Sequence, residues 1–304
     1  MLRYFRPGGW APFGLHKARR DNVSVRKNPL VPDYIYSARV DSGDVAFFEK
    51  AFFDDVEFYP EAYKETPERF EFAKRIGYAY MRQLRTDVEE KALKTQIEEA
   101  GDEKFTWRFI PALLDRATAP QFICAGAGVN ISFEIALAGR YPMADIVLLD
   151  PSPQAINHVR RLNLPKNLRF MEVGLSAADR NLQFYKPSTQ GIGSLSALAL
   201  HPGEESFELP VKKLSTIIDM SGFDASKLKY LKFDVEGSEH EVIGNMIAES
   251  IRPEQIAWEF DQPIPPWTME RTLKKICGFG YEIVDVWGLN VLAVERSPLR
   301  SLVA

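Results

Sequence analysis

The sequence predicts an α/β fold: a mostly parallel seven-stranded sheet with an antiparallel last strand, preceded by a helical N-terminal extension. Three observations lead there. After Pro120, short apolar runs alternate with amphipathic stretches, the pattern of strand–helix–strand units. Several runs finish on an acid or a glycine, namely Gly126, Asp150, Gly174, Asp234 and Glu259. The last two runs, 281–286 and 290–295, flank Trp287-Gly288, a hairpin turn that reverses the chain.

Residues 1–32 are basic (Arg3, Arg6, Lys17, Arg19, Arg20), rich in glycine and proline, and without a sustained period. They predict a loosely ordered arm, read either as a solvated tail or as a docking arm for anionic surfaces. Residues 33–117 form a helical preface. Aromatics cluster over 34–53, with a short helix expected over 45–53. Thr66-Pro67 is a cap followed by a first-turn proline. Phe70, Ala73, Ile76, Tyr80, Leu84 and Val88 then recur at helical spacing, and Gly101 closes the segment, which predicts one long helix or two abutting ones. Another short helix is expected over 107–117. The aromatic stripe reads as core packed on the next domain, or as a lid or substrate wall.

The third unit, 118–304, carries the sheet; its boundary falls between about 112 and 120. Residues 121–125 are a strand, and Gly126-Ala127-Gly128 a tight turn. The helix from Asn130 places Ile131, Phe133, Ile135 and Leu137 on more than one face, so deep burial is expected. Strands follow over 146–149 and 168–173, separated by a helix that Ser152 caps and Pro153 opens. Residues 182–185 and 207–211 form a β-excursion around the loop 186–205, and 214–218 a short helix. Leu228, Tyr230, Leu231 and Phe233 make the fourth strand, and Ser238 with Glu241 reads as a capping box for the helix behind it. Strand 255–260 and helix 267–277 complete the alternation before the final hairpin.

Composition narrows the function. A chain of 304 residues, 45% hydrophobic and 26% charged, can bury a full core. A net charge of −4 gives no basic footprint, so no nucleic-acid partner is expected. Cys124 and Cys277 lie far apart and suggest a reducing compartment. The four histidines show neither HExxH nor paired spacing, so no metal is expected. No run reaches transmembrane length, and the basic N-terminus lacks an apolar signal core. A cytoplasmic protein without an integral membrane segment is therefore expected.

In an open parallel sheet, ligands sit outside the carboxyl ends of the strands. Gly126 and Gly128 there let a ligand approach the backbone, and the following helix N-terminus favours a carboxylate or phosphate. Asp150, at the next strand end, is placed to accept hydrogen bonds from both hydroxyls of a ribose. The third glycine of a G-x-G-x-x-G pattern falls on Ile131, which weakens a dinucleotide reading. Asp234 and Glu236 follow the fourth strand; Glu259 and Asp261 follow the fifth. As an alternative, Asp234 and Glu236 serve only to favour the helix N-terminus through its dipole.

Residues 122–150 together with 231–243 resemble the FkbM-type S-adenosylmethionine-dependent methyltransferases. Asp234-Val235-Glu236-Gly237-Ser238-Glu239 matches that family's D-[VI]-E-G-[AS]-E pattern and continues as Glu241-Val242-Ile243. Gly126-x-Gly128-x-Asn130-Ile131-Ser132-Phe133-Glu134 is similar to a subgroup pattern G-x-G-x-D-I-S-F-[DE], and Asp150-Pro151-Ser152-Pro153 to D-P-T-P. The resemblance covers about 120–296. It implies a class I (Rossmann-like) methyltransferase fold, S-adenosyl-L-methionine as cofactor, and methyl transfer to a hydroxyl of a sugar, glycan or related small acceptor. Cofactor contacts are then expected from Gly126, Gly128, Asn130, Asp150, Gly174, Leu175 and Asp234. The catalytic carboxylates are expected among Asp234, Glu236, Glu259 and Asp261, and a divalent cation at Asp234 and Glu236 is a further option. Two positions depart from the pattern: Asn130 stands where the subgroup has Asp, and Asp261 where it has His. The competing reading is a catalytically silent nucleoside-binding or scaffold protein of the same fold. An NAD-linked dehydrogenase is a third, without a Tyr-x-x-x-Lys pair to support it.

Overall fold

The computed structural model describes residues 32, 35, 42–55, 67–91, 96–102, 105–186, 195–197, 205–260 and 264–303. The arm expected over 1–32, apart from Pro32, the Thr66 cap and most of the loop 186–205 lie outside the described residues.

Helices α1 (Ser42–Phe53) and α2 (Pro67–Lys91) come first, then a small hairpin of β1 (Glu98–Ala100) and β2 (Trp107–Phe109), and a single turn, α3 (Pro111–Leu114). From β3 (Gln121–Ala125) the chain alternates through α4 (Ser132–Arg140), β4 (Asp145–Leu149), α5 (Pro153–Val159) and β5 (Leu168–Met171). A three-stranded annex of β6 (Gly174–Leu175), β7 (Arg180–Lys186) and β8 (Glu205–Lys212) leads into α6 (Leu214–Ser221). Alternation resumes with β9 (Leu228–Phe233), α7 (Glu239–Ala248), β10 (Gln255–Glu259), α8 (Pro266–Gly278), β11 (Tyr281–Trp287), β12 (Asn290–Glu295) and α9 (Arg296–Val303).

The main sheet has the order β11-β12-β10-β9-β3-β4-β5. Strand β12 runs antiparallel to both its neighbours, and the remaining pairs are parallel. The chain winds outward from β3 to β5, then returns to lay β9 on the other side of β3. That reversal opens a crevice at the carboxyl ends of β3 and β9, where a ligand can sit. The sheet is therefore the seven-stranded, mostly parallel one that the alternation predicts.

Period-two alternation assigns each strand residue to one of two cores. Ile123, Ala125, Val147, Leu149, Leu231, Phe233, Ile256 and Trp258 face α2, α6, α7 and α8. Phe122, Cys124, Ile146, Leu148, Tyr230 and Ala257 face α3, α4, α5 and α9. A third, smaller cluster joins α1 and α2 through Phe48, Phe72 and Ile76 to Trp267 at the start of α8, whose ring meets that of Phe52 edge-on at 5.7 Å.

Four local expectations change. Residues 107–109 are strand instead of helix, because Trp107 and Phe109 alternate inward and pair with β1. The long helix stops at Lys91, and Gly101, at φ 107°, belongs to the β1–β2 connection, where a Cβ would lie 2.3 Å from the Phe105 carbonyl oxygen. Helix α4 buries one stripe, Phe133, Glu134, Leu137 and Ala138, and leaves Ile135 exposed. Ser238 makes no side-chain cap for α7, and Glu241 is exposed, so the capping box does not form. Among the described residues no helix is long and apolar enough to cross a membrane.

Candidate active site

A cleft of about 460 Å³ lies across the carboxyl ends of β3, β4 and β9. Gly126, Gly128, Asn130, Asp150, Gly174, Leu175, Asp234 and Glu236 all line it. The topology thus brings together eight sequence-predicted residues spread over more than a hundred positions. Glu259 sits at the end of β10 beside this group, near enough to Asp234 for their charges to interact. Asp261 lies outside the described residues.

The glycine turn is shaped by close backbone approach. Gly126 donates its N–H to the Leu149 carbonyl at 2.9 Å, and Asp234 donates to the Ala125 carbonyl at 3.1 Å, so two strand ends pinch the chain. A Cβ on Gly126 would lie 2.1 Å from the Asp234 carbonyl oxygen, and its φ of 86° is one that side chains disfavour. Gly128, at φ 52°, faces open space instead. Asp150, buried at 8% exposure, holds the turn: Oδ2 accepts the Gly128 N–H at 2.9 Å and Oδ1 the Ser152 N–H at 2.8 Å. Ser152 in turn caps α5 by accepting the Ala155 N–H. Asn130 accepts the Ser132 N–H at 2.9 Å and donates to the Asp102 carboxylate, so it ties the start of α4 to the β1–β2 hairpin.

Beyond β9 the chain enters a strained loop. Glu236 holds φ 53°, a left-handed conformation rare outside glycine, and Gly237 holds φ 112°. This fold directs the side chain of Glu239 back over the loop, where it accepts the Gly237 N–H at 3.1 Å and the Val235 N–H at 3.3 Å. Glu239, and not Ser238, is the residue that organises the turn. On the outer side, Ala197 donates its N–H to the Glu236 carbonyl at 2.9 Å, so the strand excursion is strapped onto the loop.

Electrostatics in the cleft are acidic and buried. Burial pushes the Asp234 carboxyl above its usual range; Lys232 pulls it down and Asp150 pushes it up. Glu259 is pushed up to about 8 by burial and by Asp234, against the pull of Lys232. Glu239 is likewise raised to about 8, chiefly by burial. Lys232 is the only basic residue among the described residues lining the cleft. Burial lowers its ammonium pKa, but Glu134 and Asp234 outweigh that and hold it above the ordinary value.

Lys232 and Trp107 are wall residues outside the quoted motifs, and Glu134, the last residue of the first-strand pattern, lines the cleft with them although the sequence predicts no site role for it. A lysine inside a strand reads as an exposed position, yet Lys232 is 4% exposed and Glu134 2%. Lys232 Nζ donates to the Gly126 carbonyl at 2.9 Å, lies 3.6 Å from Glu134 Oε1, and sits 4.7 Å over the Trp107 ring. The available signal was the D-V-E-G run itself, which places Lys232 two residues before Asp234 and on the same side of the strand.

The residues present fit S-adenosyl-L-methionine. The volume suits a ligand of that size. The open space at Gly128 admits a flat group against the backbone, and Glu134 Oε1 is a buried oxygen with no hydrogen-bond partner.

Comparison with known proteins agrees with this layout. A family described as "Methyltransferase FkbM domain" matches residues 116–283, more than half of the chain. No curated protein matches. Matched solved structures include precorrin-6y C5,15-methyltransferase from Geobacter metallireducens GS-15, at 13% identity and TM-score 0.33, covering 61% of this chain and 87% of that one. A predicted O-methyltransferase, Atu636 from Agrobacterium tumefaciens, aligns at 15% identity and TM-score 0.31 over 57% of this chain and 72% of its own. The METTL16 methyltransferase domain aligns at 10% identity and TM-score 0.36 over 76% and 82%. The strand order seen here is independent of those distant likenesses, and with the match over 116–283 it means that the chain belongs to the FkbM methyltransferase family.

Proposed function

We propose that the protein methylates a hydroxyl of a sugar, glycan or related small acceptor, using S-adenosyl-L-methionine as donor. The observation that carries this reading is electrostatic. Asp150 and Asp234 repel each other across the glycine turn, and Glu259 adds a third carboxylate to the same end of the sheet. A cationic ligand relieves that repulsion, and a sulfonium nucleoside is a cation with a ribose for Asp150.

When bound, the donor supplies an electrophilic methyl group. The residues of this chain orient the two partners and manage one proton. Gly126, Gly128, Asn130, Gly174 and Leu175 give the donor its surface, Asp150 its ribose contacts, and Asp234 a countercharge. Glu259 takes the proton that the acceptor hydroxyl loses; a carboxylate poised near neutrality suits a general base. Glu236 flanks the acceptor side.

Residues 33–117 serve as a wall of the 118–304 catalytic domain, with α1 and α2 on the acceptor side. Two features support this. Tyr78 of α2 is raised by burial and by the charge of Glu259, so the two groups are neighbours. Trp267 ties α8 to the α1–α2 cluster. The cytoplasm is the expected compartment, where the free thiols Cys124 and Cys277 stay reduced.

The test is transfer of an isotopically labelled methyl group from the donor to a panel of glycans and small hydroxylated acceptors, read by mass spectrometry. A product heavier by one labelled CH2 supports the reading. Donor binding without transfer to any hydroxyl acceptor, but with transfer to a nitrogen or carbon acceptor, would replace the acceptor class.

A further inference from the structure

We infer that Glu134 and Lys232 form a subsite for the zwitterionic amino-acid end of the donor, with Trp107 as its wall. The inference rests on the donor assignment above and names residues which that assignment leaves out. The cleft has polar chemistry at two ends. One end is Asp150 with the glycine turn, which suits a ribose. The other is the Lys232–Glu134 pair, one cation and one anion, beneath α4 and against the β1–β2 hairpin. Asp150 follows β4 and Lys232 lies on β9; the two strands flank β3, which sets the ends about 10 Å apart at ordinary strand spacing.

The pair is incomplete as a purely internal salt bridge. Its 3.6 Å separation is long for a charge-assisted hydrogen bond, and apart from that lysine the fully buried Glu134 Oε1 has no donor. Buried polar atoms are seldom left so, and an unmade bond at a carboxylate is costly. An α-ammonium group supplies the missing donor. Lys232 has three ammonium protons, of which the Gly126 carbonyl takes one and Glu134 faces another. An α-carboxylate accepts the third. A zwitterion therefore matches the pair charge for charge, and an uncharged alkyl group in its place would leave Glu134 Oε1 orphaned. The hairpin that carries Trp107 precedes the residues of the family match, so this wall is supplied from outside the matched segment.

The experiment is calorimetric titration of the full-length protein with S-adenosylhomocysteine, which has the amino-acid end, and with 5′-methylthioadenosine, which lacks it. The wild-type protein is expected to prefer S-adenosylhomocysteine by at least about tenfold. Glu134→Gln, isosteric and checked for folding by its melting temperature, is expected to weaken S-adenosylhomocysteine at least about tenfold and to leave methylthioadenosine within about twofold. Equal wild-type affinity for the two ligands overturns the subsite and needs no variant. A Glu134→Gln protein that keeps the preference, or loses both ligands equally, overturns the role of Glu134. Binding of neither ligand by the wild-type protein overturns the donor assignment itself.

Discussion

The carboxylate of Asp150 accepts the N–H of Gly128 at 2.9 Å, so the residue proposed to take the donor ribose also holds the glycine turn in shape. Strand β4 thereby fixes the shape of the loop after β3. Asp150→Ala is expected to weaken binding of S-adenosylhomocysteine by about 1.5–3 kcal/mol, the scale of a hydrogen-bonded charged group. Titration calorimetry reads this directly, and unchanged affinity in a folded variant would remove Asp150 from the site.

Asp234 is half-buried, and its carboxyl is pushed upward by desolvation and by Asp150 in spite of the pull of Lys232, which makes it a liability to the empty protein. Asp234→Asn is expected to melt at or above the wild-type temperature without ligand. Turnover is expected to fall at least about a hundredfold, the scale of a lost acid–base or electrostatic group. Lower stability with intact turnover would make Asp234 a loop support only.

Glu239 carries the structural duty that the Ser238–Glu241 spacing suggests for those two. Glu239→Ala leaves the Gly237 and Val235 amides without their acceptor and is expected to cost about 1–3 kcal/mol. Glu241→Ala, at an exposed position, is expected to stay within about 0.5 kcal/mol. Chemical denaturation measures both. Equal effects would restore the capping box.

This contrast shows what sequence reading can reach. The strands were legible because runs such as Phe122–Ala125 and Ile146–Leu149 are apolar on both faces and finish on turn or acid residues. Their shared direction places Asp150 and Asp234 together without knowledge of any side chain. The β1–β2 hairpin was not legible, since two three-residue strands carry too little periodicity to separate Trp107 and Phe109 from a helical turn. The Lys232–Glu134 pair was hidden because its members lie far apart in sequence and meet only through the packing of α4 on β9. Glu239 was hidden because the left-handed backbone at Glu236, which turns its side chain inward, has no glycine to announce it.

Protonation links this site to stability. Glu239 and Glu259 move from an ordinary 4.5 to about 8 in the folded protein. Raised carboxyls bind protons in the folded state that the unfolded chain has released, so their stabilisation is complete below 4.5 and is lost as pH rises toward about 8. The melting temperature of the empty protein is expected to fall across that window, and Glu259→Gln to flatten the fall. A melting temperature that rises across the window would contradict the burial of these groups. The kcat/KM profile is expected to rise through about 8 if Glu259 is the base.

Trp267 joins the preface to the catalytic sheet and is 4% exposed. Trp267→Ala is expected to cost about 3–5 kcal/mol through the cavity it leaves. In the folded fraction, the acceptor KM is expected to rise while S-adenosylhomocysteine affinity holds. Loss of donor affinity with unchanged acceptor KM would separate α1 and α2 from the acceptor side.

The most direct measurement is a crystal structure of the full-length protein with S-adenosylhomocysteine. The predicted result is a ligand lying across the ends of β3, β4 and β9, its ribose hydroxyls on Asp150 and its nucleoside against the Gly126–Gly128 turn. A ligand bound elsewhere, or a cleft that stays empty at saturating ligand, would contradict the assignment of the site.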